Sequence, residues 1–502
     1  MLGSAPTVAI VGGGASGVIA AVNLLALSAQ PPPNIVIFER SGRVGAGTAF
    51  STDRRSHLLN VPAGGMSAYV ERQDDFVRWL EHQQRCLFSA EAFVERRLYR
   101  RYLRDALTSQ SGRSPGSVDV VPAEVGDIEP IASGARVLCN WGRPLQADVV
   151  VLALGLLAPR CPAGLIGPEA RSRFIANPWE AGALAGVAPT STVALLGTGL
   201  TAVDVLLALR EQGHTGPVHA ISRHGLLPQV HEVAGCPSAP VAELAERVTS
   251  DRTRELVRLC RQAVHAAGEL GSGWREVVDI LRGRAQQIWL GLDDEEKARF
   301  RRHAERYWNI HRHRMAPQVG HELDRLRDAG VFNVHAGRAL WVRTNGDELE
   351  LEVGLRNSGR SYRWRADWVV NCTGPDPDVS GGAQPLLNRL RSRGLVQPGT
   401  LGMGLATELS GRIVDVAGKP VDWLWALGSL RQGQLFESTA VSEIRAQARQ
   451  LAVQILDALN HPAHVLRHAG HDLAVSAEPA QLPAKEISPC QSRTTSSSAA
   501  GL

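Results

Sequence analysis

The hydrophobic pattern of this chain is set by two short apolar runs that each stop at glycine. Val8-Ala9-Ile10-Val11 breaks into Gly12-Gly13-Gly14-Ala15-Ser16-Gly17, and an apolar stretch of helical character follows. Val193-Ala194-Leu195-Leu196 breaks in the same way into Gly197-Thr198-Gly199-Leu200-Thr201-Ala202. Each predicts a buried strand, a tight turn and a helix. Residues 5–60 read strand, turn, helix, strand and a Gly-rich loop. Residues 72–110 read as helical, with Phe76, Trp79 and Leu80 at helical spacing. Residues 118–155 alternate as short strands and close on Ala147-Asp148-Val149-Val150-Val151-Leu152-Ala153-Leu154-Gly155. A similar element, Ala366-Asp367-Trp368-Val369-Val370-Asn371-Cys372-Thr373-Gly374-Pro375, follows the second turn. Each glycine turn is thus expected to have its own closing strand, with Gly155 and with Thr373 and Gly374 at the ends facing the ligand.

From about 236 to 330 the pattern is helical, with charged faces and few strand formers. Asp293-Asp294-Glu295-Glu296 predicts a helix start, because acids are favoured at the positive end of the dipole. This block interrupts the second unit, whose later strands are expected between 331 and 374, and it offers either a substrate pocket or lid or a packing buttress. The stretch from about 475 is rich in Pro, Ser, Thr and Ala without periodicity, which predicts a disordered tail over 475–502.

The glycine turns carry chemistry. In G-x-G-x-x-G the first Gly (Gly12 or Gly197) permits the tight turn, and the second (Gly14 or Gly199) lets backbone approach a pyrophosphate. The third position, Gly17 or Ala202, keeps the helix close to the sheet. Phosphates then sit on the free N–H groups of the first helical residues, Ala15 and Ser16 or Leu200 and Thr201. The two units differ where the ribose is read. Asn34-Ile35-Val36-Ile37-Phe38-Glu39-Arg40 ends in a carboxylate that suits an unphosphorylated ribose. Val218-His219-Ala220-Ile221-Ser222-Arg223 offers no acid but a guanidinium fork suited to a 2′-phosphate. The expected cofactors are therefore FAD in the first unit and NADPH in the second. The expected fold is α/β: an FAD domain over 5–160 and 395–460, an NAD(P)H domain over 161–235 and 331–394, and a helical insertion over 236–330.

Composition narrows the class. At 502 residues with 44% hydrophobic content the chain is long enough for two to three domains with proper cores. A net charge of +4 is too small to imply a nucleic-acid partner. The only lysines are Lys297, Lys419 and Lys485, so the base is almost all Arg, a skew that reads as coding bias. Cysteines 86, 139, 161, 236, 260, 372 and 490 show neither C-x-x-C nor C-x₄-C spacing, so neither a redox dithiol nor a metal site is expected. A reducing, cytoplasmic setting fits that usage. No uninterrupted apolar stretch reaches the roughly 20 residues of a membrane span.

Longer motifs point to a family. Gly45-Ala46-Gly47-Thr48-Ala49-Phe50-Ser51, with His57-Leu58-Leu59-Asn60-Val61-Pro62-Ala63-Gly64-Gly65-Met66-Ser67-Ala68, resembles the signature of YdhS-like FAD/NAD(P)-binding proteins. That group is related to flavin-dependent monooxygenases with two dinucleotide-binding domains. Trp308-Asn309-Ile310-His311-Arg312-His313-Arg314-Met315-Ala316-Pro317 is similar to a second stretch of the group. So is Gly428-Ser429-Leu430-Arg431-Gln432-Gly433-Gln434-Leu435-Phe436-Glu437-Ser438-Thr439-Ala440. The likeness extends over residues 5–455. It implies that the loop carrying Gly45, Gly47 and Thr48 wraps the flavin, with Asn60, Met66 and Ser67 near the isoalloxazine ring. It also implies that Gly428, Leu435 and Phe436 belong to the FAD site. The wider flavoprotein pattern has Asp where this chain has Ser429. Asn60 either tunes the flavin edge or caps a turn before Pro62. Arg314, with His311 on the same helical face, either holds an anionic substrate or nicotinamide phosphates, or forms an inter-domain salt bridge.

The expected activity is hydride transfer from NADPH to FAD, followed by one of two fates. Reaction with O2 through a flavin C4a-(hydro)peroxide would oxygenate a small molecule. Transfer to an organic acceptor would make a reductase or dehydrogenase. A non-catalytic FAD/NADPH-binding protein is the third alternative.

Overall fold

The computed structural model describes residues 5–28, 32–161, 164–232, 238–356, 358–381 and 384–460. The expected tail, Cys236 and Cys490 lie outside these.

The first unit runs β1 (Thr7–Val11), α1 (Ala15–Leu27), β2 (Asn34–Phe38), α2 (Asp75–Gln84), α3 (Arg96–Ser111), β3 (Val118–Val121), β4 (Val125–Pro130), β5 (Ala135–Cys139), β6 (Leu145–Ala147) and β7 (Val149–Leu152). The second runs β8 (Phe174–Ile175), β9 (Val193–Leu196), α4 (Leu200–Glu211) and β10 (Val218–Ser222). Helices α5 (Ala239–Glu246), α6 (Thr253–Glu269), α7 (Trp274–Gly291), α8 (Asp294–His303), α9 (Glu305–Arg312) and α10 (Pro317–Asp328) follow. The chain then makes β11 (Phe332–Asn345), β12 (Glu348–Leu355), β13 (Ser361–Ala366) and β14 (Trp368–Asn371). It returns to the first unit with α11 (Pro385–Ser392), β15 (Arg412–Val414), β16 (Pro420–Ala426) and α12 (Val441–Asn460).

The first sheet has the order β15-β16-β7-β1-β2-β3 and the second β13-β12-β11-β10-β9-β14-β8. In both, the strand before the glycine turn is central, flanked on one side by the next strand of the unit and on the other by a closing strand, all parallel. These strands are mostly apolar because both their faces are covered. One face of the first sheet packs on α1, α3 and α12 through Ile10, Val18, Leu103 and Leu451. The other meets the small sheet β4-β5-β6 and α11 through Val150, Ile128, Val137 and Leu390.

Two boundaries differ from the pattern-based expectation. Helix α10 places Val319, Leu323 and Leu326 in the core of the second unit with Leu195 and Val218, so it is that unit's own crossover helix and the insertion is α5–α9. Helix α11 packs with the first unit, not the second. Along 72–110 the single helical stretch is two helices, with Arg85 in left-handed conformation (φ 53°) ending the first. The start expected at residue 293 is formed by Asp293, whose side chain accepts from the Glu296 N–H at 2.8 Å. No helix among the described residues is long and apolar enough to cross a membrane.

Candidate functional site

The two glycine turns are built alike. Gly12 N donates to Phe38 O at 2.9 Å, and Gly197 N donates to Ile221 O at 2.8 Å. Gly12 has φ +108° and Gly197 φ +125°, a backbone region open to Gly and little else. A Cβ on Gly12 would lie 2.3 Å from the carbonyl of Ala153, and one on Gly197 would lie 2.2 Å from that of Cys372. The closing strands β7 and β14 therefore press against the turns and leave no room for a side chain. Helices α1 and α4 begin at Gly14 and Gly199 with no side-chain cap and no acid in the first turn. Their first N–H groups and positive dipole ends are free for an anion.

The matching hydrogen bonds put Ser222 where the first unit has Glu39, and Arg223 where it has Arg40. Glu39 is pinned in place: Oε2 accepts from Gly13 N at 3.0 Å, and Oε1 accepts from Ser41 N at 3.0 Å and Ser41 Oγ at 2.7 Å. A carboxylate so fixed keeps lone pairs for ribose hydroxyls. Ser222 is instead bonded to Thr198, whose hydroxyl also holds Leu226 O at 2.5 Å. Arg40 and Arg223 are both exposed.

Around the first turn, Gly45 N donates to Gly13 O at 2.8 Å, and a Cβ on Gly14 would lie 3.2 Å from the Gly47 Cα. Thr48 is exposed beside them. Gly428 (φ +72°) would carry a Cβ 3.0 Å from Ser16 Oγ, and its N–H donates to Gln447 Oε1 at 3.2 Å. Ser429, in the place of the usual Asp, donates to Gly155 O at 2.5 Å and so ties this loop to the end of β7. Gln447 Nε2 and Ser438 Oγ are buried without a hydrogen-bond partner among the described residues. Orphaned donors beside a glycine cradle fit a polar cofactor there. At the second turn, Asn371 Oδ1 accepts from Thr373 Oγ1 at 2.8 Å while its buried Nδ2 has no partner among the described residues. A Cβ at Gly199 or Gly374 would meet open space.

Other expected site residues are placed differently. Ser67 is fully buried, and its hydroxyl donates to Arg72 O at 2.6 Å and accepts from Tyr69 N at 3.1 Å; Met66 is in the apolar core. Both side chains are thus engaged within the protein, Ser67 by a local turn and Met66 by the core. Leu435 is buried, and Phe436 stacks on Trp289 with centroids 4.8 Å apart, so this pair joins the insertion to the first unit. Arg314 is likewise spent: it pairs both nitrogens with Asp279 at 3.0 and 2.9 Å, donates from Nε to His311 O and lies over Trp274. That bridge lies between α7 and the end of α9, inside the insertion and not between domains. Asn60 is half-buried with its backbone oxygen accepting from His231 Nε2 at 3.0 Å. Its amide makes no hydrogen bond among the described residues, which leaves it available to a ligand.

Pattern reading missed the joint between the units. Arg96 at the start of α3 pairs both guanidinium nitrogens with Asp204 of α4, at 2.7 and 3.0 Å, and donates from Nε to Leu58 O at 2.9 Å. His57 Nε2 bonds to Asp204 O at 2.9 Å. Arg54 donates to Ala208 O and Gln212 Oε1, and Ser56 to Glu211. The one available signal was Asp204 itself, an acid inside the apolar run Leu200-Thr201-Ala202-Val203-Asp204-Val205-Leu206-Leu207.

The insertion docks on the first unit through a buried ionic cluster. Glu437 accepts from Trp308 Nε1 at 2.7 Å and faces Arg312 at 3.2 Å, while Arg282 reaches Glu443 at 2.9 Å. Burial, reinforced by the charge of Arg312, pushes His313 down to about 4, and burial pushes His231 down to about 4. Both imidazoles take a proton more readily in the unfolded chain, so stability is complete above their ordinary value of 6.5 and drains as pH falls toward 4. The midpoint of thermal unfolding is accordingly expected to fall on acidification through that window and to be level above it. A flat profile from pH 4 to 7, followed by circular dichroism, would show these residues are not the buried neutral groups described.

Residues 9–157 match the sequence model of the FAD-NAD(P)-binding family. No curated protein matches the sequence. Among solved structures, the ornithine N-hydroxylase KtzI of Kutzneria sp. 744 aligns with a TM-score of 0.60 at 17% identity, over 90% of this chain and 99% of that one. The fold is that of a flavoprotein with two dinucleotide-binding domains. DfoA, the cadaverine monooxygenase of Erwinia amylovora, aligns with a TM-score of 0.60 at 13% identity, over 90% of this chain and 95% of that one. A thioredoxin reductase of Lactococcus lactis aligns at 0.51 and 11% identity, over 91% and 99%. The fold is therefore shared by enzymes of different chemistry, and the residues of this chain have to choose between them.

Proposed function

We propose that this chain is an FAD-dependent, NADPH-using monooxygenase of the YdhS-like group that acts on a small molecule with O2 as co-substrate. The observation that carries the cofactor pair is the substitution at equivalent strand ends: a pinned carboxylate, Glu39, in one cradle and Ser222 with Arg223 in the other. Bound FAD would supply hydride acceptance and reaction with O2. Glu39 would orient the adenosine ribose, and the N-terminus of α1 would offset the pyrophosphate charge. Asn60, with its free amide, is the residue we assign to the flavin edge. Ser438 and Gln447 would complete the polar lining beside Gly428. Trp289 and Phe300 of the insertion, packed with Phe436 and Met403 of the first unit, would supply apolar cover that keeps water out. Cysteine spacing in the sequence provides no redox dithiol, which weighs against disulfide reduction, and the hydroxylase neighbours weigh for oxygen transfer.

The test is stoichiometric. Purified protein is expected to bleach its flavin with NADPH under anaerobic conditions. In air it should then couple NADPH oxidation and O2 uptake to a hydroxylated or oxygenated product from a panel of amines, thioethers and ketones. Flavin reduction with all O2 returned as hydrogen peroxide, together with turnover of an organic acceptor, would make the protein a reductase. Absence of NADPH oxidation with and without the panel would leave a binding protein.

A further inference from the structure

The C-terminal end of β10 gathers guanidinium groups from three separate parts of the chain. Arg223 follows the strand directly. Arg356, in the turn between β12 and β13, donates from Nη1 to His224 Nδ1 at 2.7 Å. Arg306, on α9 of the insertion, lies with its guanidinium 5.0 Å from the ring centre of Tyr307, whose ring is 6.3 Å from the His224 imidazole. Burial and the charges of Arg306, Arg356 and Arg223 together hold His224 below its ordinary pKa. None of the three arginines has a carboxylate within salt-bridge distance among the described residues. The neighbouring acid, Glu305, is engaged with Arg301 at 3.6 Å. Glu305 also feels the charge of Arg223, but its burial favours the neutral form, so it offsets the cluster only in part. Like charges collected in this way cost free energy that a bound anion relieves.

The place is informative. Ser222 stands where Glu39 would read a ribose, so the adenosine ribose of a second dinucleotide falls at this strand end. Its 2′ position then faces whatever follows Ser222. Because His224 Nδ1 accepts from Arg356, the imidazole proton is on Nε2, which adds another donor to the cluster.

We propose that the 2′-phosphate of NADPH is seated by a clamp of Arg223, Arg356 and Arg306 with His224. Two of its arginines, Arg356 of the hairpin and Arg306 of the insertion, come from outside the dinucleotide turn and strand. The inference rests on the NADPH reading above and deepens it: a phosphate dianion at this point ties the insertion and the hairpin to β10. Only a 2′-phosphorylated nucleotide engages the clamp, and NADH does not.

Binding of 2′,5′-ADP, NADPH and NADH to the flavin-loaded protein, followed by calorimetry, tests this directly. Arg356→Gln and Arg306→Gln are each expected to weaken 2′,5′-ADP and NADPH binding roughly 10- to 100-fold, the range for a charge-assisted hydrogen bond. NADH affinity and flavin content should stay as in the parent. Unchanged NADPH affinity in both variants, with loss in Arg223→Gln, would overturn the clamp while leaving NADPH as the coenzyme. Equal loss of NADPH and NADH would assign the two arginines to folding and also overturn it. A parent protein that binds NADH but not 2′,5′-ADP would remove the NADPH reading itself.

Discussion

Gly197→Ala is expected to abolish NADPH binding while the protein still carries its flavin. The new methyl would lie 2.2 Å from the Cys372 carbonyl, and the backbone is held at φ +125°, so neither the turn nor β14 can keep its place. Such a conformation costs a non-glycine residue about 1–3 kcal/mol before the clash is counted. Relief by moving the turn would displace the Leu200 and Thr201 N–H groups that would receive the pyrophosphate. Calorimetry should register no NADPH heat, and NADPH should no longer bleach the flavin, whose absorbance per mole of protein is unchanged. The mirror substitution, Gly12→Ala, places its methyl 2.3 Å from the Ala153 carbonyl and should give protein without flavin. Retention of NADPH binding by Gly197→Ala at parental affinity would mean that the second turn is not the dinucleotide site.

The second large effect is at the joint between units. Asp204→Ala leaves Arg96 facing a buried hole, since the side chains of the pair are only 11% and 8% exposed. Removing one partner of a buried ion pair costs about 3–5 kcal/mol, because the remaining charge is neither solvated nor paired. The His57 bond to the Asp204 backbone is retained, so the helix itself should persist. Chemical denaturation should move to lower denaturant by that amount, and Arg96→Met, which removes the charge while keeping the bulk, should do less harm than Asp204→Ala when combined with Asp204→Leu. Additive losses in that double variant would show that the two residues do not act as a pair.

Both predictions separate what was readable along the chain from what was not. The strand-turn-helix units, the two closing strands, the helical character of the insertion and the cap at Asp293 are local matters. Each depends on period, on glycine's backbone freedom or on a side chain reaching its own helix terminus, and such signals lie within a dozen residues of one another. The contrast between Glu39 and Ser222 was legible for the same reason, because the distance from turn to strand end is fixed by one helix and one strand.

Assigning single side chains was a different problem. Met66, Ser67, Leu435, Phe436 and Arg314 stand in motifs that surround a cofactor, yet their side chains serve the core, a local turn, an inter-unit stack and a buried ion pair. A motif marks a neighbourhood, and which residues face the ligand depends on what packs behind them. The α10 boundary shows the same thing, since its apolar stripe faces β9 and β10 and not the insertion it follows in sequence.

The sequence by itself determined the two cradles, their spacing and the chemical difference between their ribose ends, because strand, turn and helix obey short-range rules. Only the tertiary structure decided that Asp204 meets Arg96, that Ser438 and Gln447 gather at Gly428, and that Arg356 and Arg306 come near His224, next to Arg223. Asp204 and Arg96, and Arg223 with Arg306 and Arg356, are far apart along the chain, while Ser438 and Gln447 are nearer to Gly428 but in a different loop and helix; only the packing of sheets and helices brings them together.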